Sequence, residues 1–308
     1  MIAPFRFPRR PPLLFRRTAL VLLATLLLQC FPLDLAAQET PQEPPVEAKA
    51  EEPAARDTPN LGQSLLADEA AIWTSPFRRP KWKNVAVWGG VAVATVLLIR
   101  NDEAIYRNFT RFHDEHKWVR DLSPIATQFG EFWVPFGVAG TLCLTGLTFG
   151  DEYTTTTGSL ALQAMLHSGL VIQVVKHLAG RSRPFVENGQ DHWYGPEAMF
   201  HRYDNDKGFS SYDSFPSGHT ITAWSLATVI ASRYPHSFAI GALSYTAATL
   251  CGLSRVTEKD HWLSDVLVGA ALGYAIGRLV VRNHDRRLQV MPRASSNSVA
   301  LGVVYSLD

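Results

Sequence analysis

The stretch HWLSDVLVGAALGYAIGRLVV, residues 261–281, decides how this chain folds. It is apolar for most of its length, and His261, Asp265, Gly269, Gly273 and Gly277 recur along it every four residues. Positions four apart share one face of an α-helix, so the spacing predicts one helix with all five residues on a single stripe. Glycines on such a stripe let a neighbouring helix approach closely. The seam therefore points into a helical assembly and takes His261 and Asp265 with it. Most seams of small residues serve packing alone, so any chemistry has to come from what surrounds this one.

Five further apolar segments with helical periodicity lie upstream, at 84–99, 132–149, 158–178, 218–232 and 237–253. Between the first two, the charged stretch 100–121 has the apolar spacing of one amphipathic helix. The expected fold is all-α: a six-helix core bundle with the active site at helix ends. The longest loop, 185–215, is rich in aromatic, Gly and Asp residues and is a candidate lid or recognition loop. The tail 295–308 contains β-forming residues without an identifiable partner strand.

The amino terminus reads as a signal for export. Arg6, Arg9, Arg10, Arg16 and Arg17 precede an apolar run from Thr18 to Phe31, and the small residues Ala36 and Ala37 follow. Residues 1–37 are thus expected to be a signal peptide and 38–75 a Pro/Glu-rich linker with a short amphipathic piece from Leu61 to Trp73. The helical domain would occupy 76–284 and a carboxy-terminal tail 285–308. Removing 1–37 leaves 24 basic against 27 acidic side chains. A balance so near neutral offers no electrostatic footprint for nucleic acid. Beyond the leader only Cys143 and Cys251 remain, both in apolar segments, which reads as two buried thiols.

Three short runs stand at helix ends: Lys176 to Pro184 (KHLAGRSRP), Pro216 to His219 (PSGH), and Ser254-Arg255 followed by His261 and Asp265. Together they describe an anion site. Lys176, Arg183 and Arg255 supply three cations, and the guanidinium fork matches phosphate oxygens. Ser217 and Gly218 open a helix, where free N–H groups and the positive end of the helix dipole face an anion. Asp265, four residues after His261, is expected to accept the Nδ1–H and leave Nε2 free, the arrangement of an activated nucleophile. His219 stands beside the helix start, where it could protonate a leaving oxygen, and no carboxylate lies at a spacing that would orient it. No His/Cys cluster has metal-ligand spacing, so protein cations are expected to neutralise charge in place of a metal.

These runs resemble the three signature motifs of the type-2 phosphatidic acid phosphatase and vanadium haloperoxidase superfamily. The pattern is a Lys, six residues, Arg-Pro; then Pro-Ser-Gly-His; then Ser-Arg, five residues, His, three residues, Asp. Lys176, Arg183, Pro184, Pro216, Ser217, Gly218, His219, Ser254, Arg255, His261 and Asp265 fill every position. The resemblance implies a metal-independent phosphomonoester phosphatase with no cofactor and with vanadate as an inhibitor. It implies His261 as the nucleophile of a phosphohistidine, Asp265 as its orienting partner, and His219 as general acid and then base. Lys176, Arg183, Ser217, the Gly218 N–H and Arg255 would hold the phosphoryl oxygens.

Two other readings share the scaffold: a vanadate-dependent haloperoxidase, and a non-catalytic membrane or envelope protein. Haloperoxidases of the superfamily resemble much longer chains, and a non-catalytic relative would be expected to lack some of these side chains. The resemblance implies a phosphate ester as substrate, either a lipid phosphate or a soluble phosphomonoester. An exported bundle in the periplasm or cell envelope, soluble or membrane-associated, is favoured, because a crossing leader followed by six spans would put the helix ends of the site on the cytoplasmic side; the mean hydropathy of −0.01 is compatible with core helices. The alternative is an integral six-span protein. Arg78, Arg79, Lys81 and Lys83 before the first helix, and Arg282, Arg286 and Arg287 near the end of the last, would be its positive-inside flanks.

Overall fold

The computed structural model describes residues 61–74, 82–186, 189–200, 211–289, 293–295 and 298–300. The expected leader 1–37 and the Pro/Glu-rich segment up to residue 60 lie outside the described residues. Among the described residues eight α-helices follow in order: α1 (Leu61–Thr74), α2 (Trp82–Glu115), α3 (Lys117–Thr127), α4 (Trp133–Phe149), α5 (Glu152–Ala179), α6 (Gly218–Arg233), α7 (Phe238–Thr257) and α8 (Leu263–Gln289). The fold is all-α, as expected. Strands β1 (Arg293–Ser295) and β2 (Ser298–Ala300) form a small antiparallel hairpin with Arg293 opposite Ala300. The tail's β-forming residues therefore have their partner just upstream.

Several boundaries differ from the sequence reading, each for a local reason. The apolar segment 84–99 and the charged stretch as far as Glu115 form one helix, α2, because no breaker separates Ile99 from Asn101. The helix ends at His116, which has extended backbone, and α3 then begins. At its other end α5 starts six residues earlier than expected. Asp151 caps it by accepting the N–H groups of Tyr153 and Thr154, a contact worth about 1 kcal/mol.

His261 lies outside α8. The N–H groups of Asp260 and His261 both donate to the Arg255 carbonyl, at 3.0 and 3.2 Å, which closes a turn after α7. The Asp265 carboxylate then accepts the Trp262 N–H at 2.9 Å, and the helix starts beyond it. The seam accordingly runs from Asp265 through the three glycines, with His261 on the loop that feeds it.

The seam itself is closely packed. A Cβ added to Gly273 would lie 2.5 Å from the Ile221 carbonyl oxygen, and at Gly269 2.8 Å from that of Ser217. α6 and α8 are thus in backbone contact, and they form the most extensively packed helix pair. Around them Leu160, Ala161 and Ala164 of α5, Ile221 and Val229 of α6, and Val268, Leu272, Ile276 and Val280 of α8 build the core.

Among the described residues, three helices are long and apolar enough to cross a membrane: Asn84–Glu115, Glu152–Ala179 and Leu263–Arg286. A fourth candidate span is the bent pair Lys117–Gly130 and Trp133–Phe149, which turns through 50°. Leu144 and Leu147 of α4, Leu166 and Leu170 of α5 and Leu243 of α7 all point outward. Outward leucines on long apolar helices suit a lipid environment and are unfavourable in water. These helices have the character of membrane spans, although the mean hydropathy of the whole chain is −0.01. That average is misleading because the polar segment 38–60 and the charged half of α2 offset the apolar helices.

Overpacking the seam tests it directly. Gly273→Leu should drive α6 and α8 apart, cost about 1–3 kcal/mol or more, and lower the thermal midpoint of the detergent-purified protein. An unchanged midpoint would contradict the close contact.

Candidate active site

The helix ends carrying the three motifs meet at one place. Lys176 sits in the last turn of α5. Gly180 then turns the chain in the left-handed region at φ 53°, where a side chain would collide with Gly195. The turn sends Arg181 inward and leaves Arg183 at the site.

Arg181, which lies within the first run but at none of its motif positions and was given no role from the sequence, has no solvent exposure. Its Nε donates to Asp191 at 2.9 Å and its Nη2 to Asp102 of α2 at 2.8 Å. Its Nη1 donates to Ser264 at 2.6 Å and to Asp265 at 2.5 Å. The Trp193 and Trp262 rings lie 4.7 and 5.1 Å from the guanidinium carbon. Burial works against the charge, but Asp191, Asp265 and Asp102 raise the pKa above its ordinary value. Asp191 and Trp193 are themselves buried, so this part of the long loop is a fixed wall; residues 201–210 lie outside the described residues.

Asp265 is engaged on every side. Besides Arg181, it accepts the Ser214 hydroxyl at 2.6 Å and the Trp262 N–H. Its distance to His261 Nδ1 is 3.6 Å, too long for the expected hydrogen bond. The Nδ1 partner is the Ser214 carbonyl oxygen, at 2.7 Å. A carbonyl only accepts, so Nδ1 carries the hydrogen and the neutral ring keeps its lone pair on Nε2. The free Nε2 is thus where the sequence reading put it, but through a different acceptor, which Asp265 in turn steadies through the Ser214 hydroxyl.

His261 is 1% exposed. Burial first, and then the charges of Arg183, Lys176 and Arg255, push its pKa well below the ordinary histidine value. All three motif cations therefore act on this one ring. Lys176 Nζ donates to Asp213 at 3.2 Å, and Arg183 Nε donates to the other oxygen of the same carboxylate at 2.9 Å. Arg255 bonds Thr127 at 3.1 Å, Glu258 at 2.8 Å and Asp260. Ser217 caps α6, accepting from the Thr220 N–H at 3.4 Å and its hydroxyl at 2.8 Å, and its own proton stays available to donate. Gly218 begins that helix, and a Cβ there would sit 3.9 Å from Lys176 Nζ.

His219 does have a carboxylate partner: its Nε2 is 2.8 Å from Glu131, on the turn between α3 and α4. Gly130 permits the approach, since a Cβ there would lie 2.5 Å from the His219 carbonyl oxygen. Burial and then Arg255 push His219 down to about 4, against the upward pull of Glu131. Among the described residues no group of three His, Cys, Asp or Glu side chains converges as a metal site. Cys143 and Cys251 are free thiols.

Fold and site together define an all-helical protein whose helix ends converge on two histidines among cations. Residues 157–289, which include all three motifs, match the model of the PAP2 superfamily. The lipid A 1-phosphatase of Porphyromonas gingivalis is 45% identical over 71 residues, which is 22% of this chain and 15% of that protein. An acid phosphatase of Zymomonas mobilis is 33% identical over 89 residues, 29% of this chain and 30% of that protein. The matches thus span less than a third of either relative. A solved structure of a transmembrane PAP2 type phosphatidylglycerolphosphate phosphatase from Bacillus subtilis is 22% identical and covers 64% of this chain and 94% of its own, with a TM-score of 0.48.

Arg181→Ala would leave Asp102, Asp191 and Asp265 buried without their cation. Breaking a buried pair in this way costs about 3–5 kcal/mol, so the variant should show a large loss of thermal stability or fail to accumulate. His261 makes a pH-dependent contribution of its own. The unfolded ring takes up a proton near pH 6.5, but the folded ring only well below that. Its stabilising share is therefore complete above about pH 6.5 and is lost as pH falls through the folded value. Thermal midpoints measured from pH 7.5 to 5 should fall less steeply in His261→Gln than in the wild type.

Proposed function

We propose that this protein is a phosphomonoester phosphatase that acts on lipid phosphates outside the cytoplasm, without a metal, through a phosphohistidine at His261. The observation that carries the reading is the His261 ring: Nδ1–H is tied to an acceptor-only carbonyl, which leaves the lone pair on Nε2, and the ring lies within the electrostatic reach of Arg183, Lys176 and Arg255. The name of the Porphyromonas gingivalis relative and the long apolar helices support a lipid phosphate as substrate.

In this mechanism Lys176, Arg183, Arg255, the Ser217 hydroxyl and the Gly218 N–H hold the phosphoryl oxygens. His261 Nε2 attacks phosphorus, the N–P bond forms as the bond to the leaving oxygen breaks, and His219 gives that oxygen its proton. A water molecule then attacks phosphorus while His219 takes its proton, and phosphate departs from His261. His219 must be protonated for the first step, yet its pKa in the free site is about 4. Burial and the charges of Arg255 and Arg183 depress it; an arriving phosphate dianion offsets the charge part, as Glu131 already does, and so favours proton uptake on binding.

His261→Ala should abolish turnover and leave no acid-labile phosphoenzyme. His219→Ala should lose far more activity on an alkyl or lipid phosphate than on p-nitrophenyl phosphate, whose phenolate leaves without a proton. Rapid-quench labelling with peptide mapping, in EDTA and with orthovanadate as inhibitor, checks the scheme. A label on residue 219, or activity that EDTA removes and a divalent ion restores, would refute it.

A further inference from the structure

Asp213 belongs to none of the three motifs, yet its carboxylate occupies both motif-1 cations at once. One oxygen accepts from Lys176 Nζ at 3.2 Å and the other from Arg183 Nε at 2.9 Å. It immediately precedes Ser214, the residue whose carbonyl fixes His261. Burial disfavours its charge, but Lys176 and Arg183 outweigh this, and His261 also acts on it. A carboxylate is planar and singly charged, with two acceptor oxygens spanning two donors, which is the edge a phosphoryl group presents to the same pair. Phosphate beside His261 and Asp213 in its present position would be like charges competing for the same N–H groups.

We infer that Asp213 is an affinity-setting residue: an internal anion that holds Lys176 and Arg183, yields them to the phosphoryl group, and reclaims them to expel free phosphate. The inference rests on the reading of this site as a phosphate site. It also explains how three cations can gather there without trapping the product. The bond-making steps are unchanged; what Asp213 alters is the balance between bound and released phosphate. Arg255 differs from the other two cations, since its partners Glu258 and Asp260 lie three and five residues along its own segment. Asp213 reaches across from another segment to the pair contributed by motif 1.

The sign of the effect makes the test decisive. Inorganic phosphate is titrated calorimetrically into the full-length protein in detergent, as wild type, Asp213→Asn and Asp213→Ser, with thermal midpoints recorded alongside. Removing a like charge a few ångströms from a bound anion should tighten phosphate about tenfold after allowance for partial exposure. Product inhibition should strengthen by the same factor. If Asp213 merely positions Lys176 and Arg183, its loss leaves phosphate binding equal or weaker, and either result overturns the inference. A structure of the wild-type protein with orthovanadate gives an independent reading that needs no variant. The Asp213 carboxylate should have left at least one of its two cations, and one still bonded to both beside bound vanadate would overturn the inference. Absence of phosphate and vanadate binding near His261 in the wild type would instead overturn the reading of the site, and the inference with it.

Discussion

A guanidinium without solvent contact has to be surrounded by acceptors, and Arg181 meets that demand with carboxylates from three parts of the chain. Asp102 comes from the middle of α2, Asp191 from the loop after motif 1, and Asp265 from the first turn of α8. Ser264 joins Asp102 and Arg181 in the same network. A charge buried this deeply is costly unless each partner is in position, so the network forms only when these segments are correctly assembled. Asp265 then passes the order on. It accepts from Ser214, whose carbonyl holds His261, and its own carbonyl accepts the Ser217 N–H at 3.1 Å, at the start of the helix bearing His219. The position of both histidines thus follows from one buried ion cluster.

How far the sequence reveals this depends on distance along the chain. The seam of Gly269, Gly273 and Gly277 was legible because four-residue spacing translates directly into one helix face, and the structure brings it against α6. The three motifs were legible because each is a local run with its own chemistry. What escaped was contact between runs. Glu131 meets His219 from 88 positions away, and nothing in the turn Gly130-Glu131-Phe132 announces it. Asp102 lay in a charged stretch that reads as one amphipathic helix, with nothing to single it out, yet it is buried against Arg181. The pairing of His261 with Asp265 was plausible from spacing alone. It failed as a direct hydrogen bond because Asp265 is committed to Arg181, Ser214 and Trp262, and because His261 sits before the helix begins.

Hydropathy misled in a comparable way. A whole-chain average close to zero hides three helices long enough for a bilayer, since acidic and proline-rich sequence elsewhere cancels them. The informative quantity is where the apolar side chains point. Leu144 and Leu147 of α4, Leu166 and Leu170 of α5 and Leu243 of α7 face outward, while the glycines of α8 pack against α6 and Gly158 of α5 packs against α4. Small residues inside and large ones outside is the arrangement of helices that associate by close packing within lipid.

The contact between α6 and α8 has a mechanical meaning as well. Two helices in backbone contact along three glycines cannot slide without collision, so the segments bearing His219 and His261 move as one stiff body. Glu131 belongs to the turn of the bent α3–α4 pair, and Ser123 and Thr127 beside that turn are hydrogen-bonded to Thr257, Ser254 and Arg255 of α7. The spacing of the segments that carry the two histidines is thus set by one helix pair, while the carboxylate that biases the protonation of His219 is placed by another and held through α7.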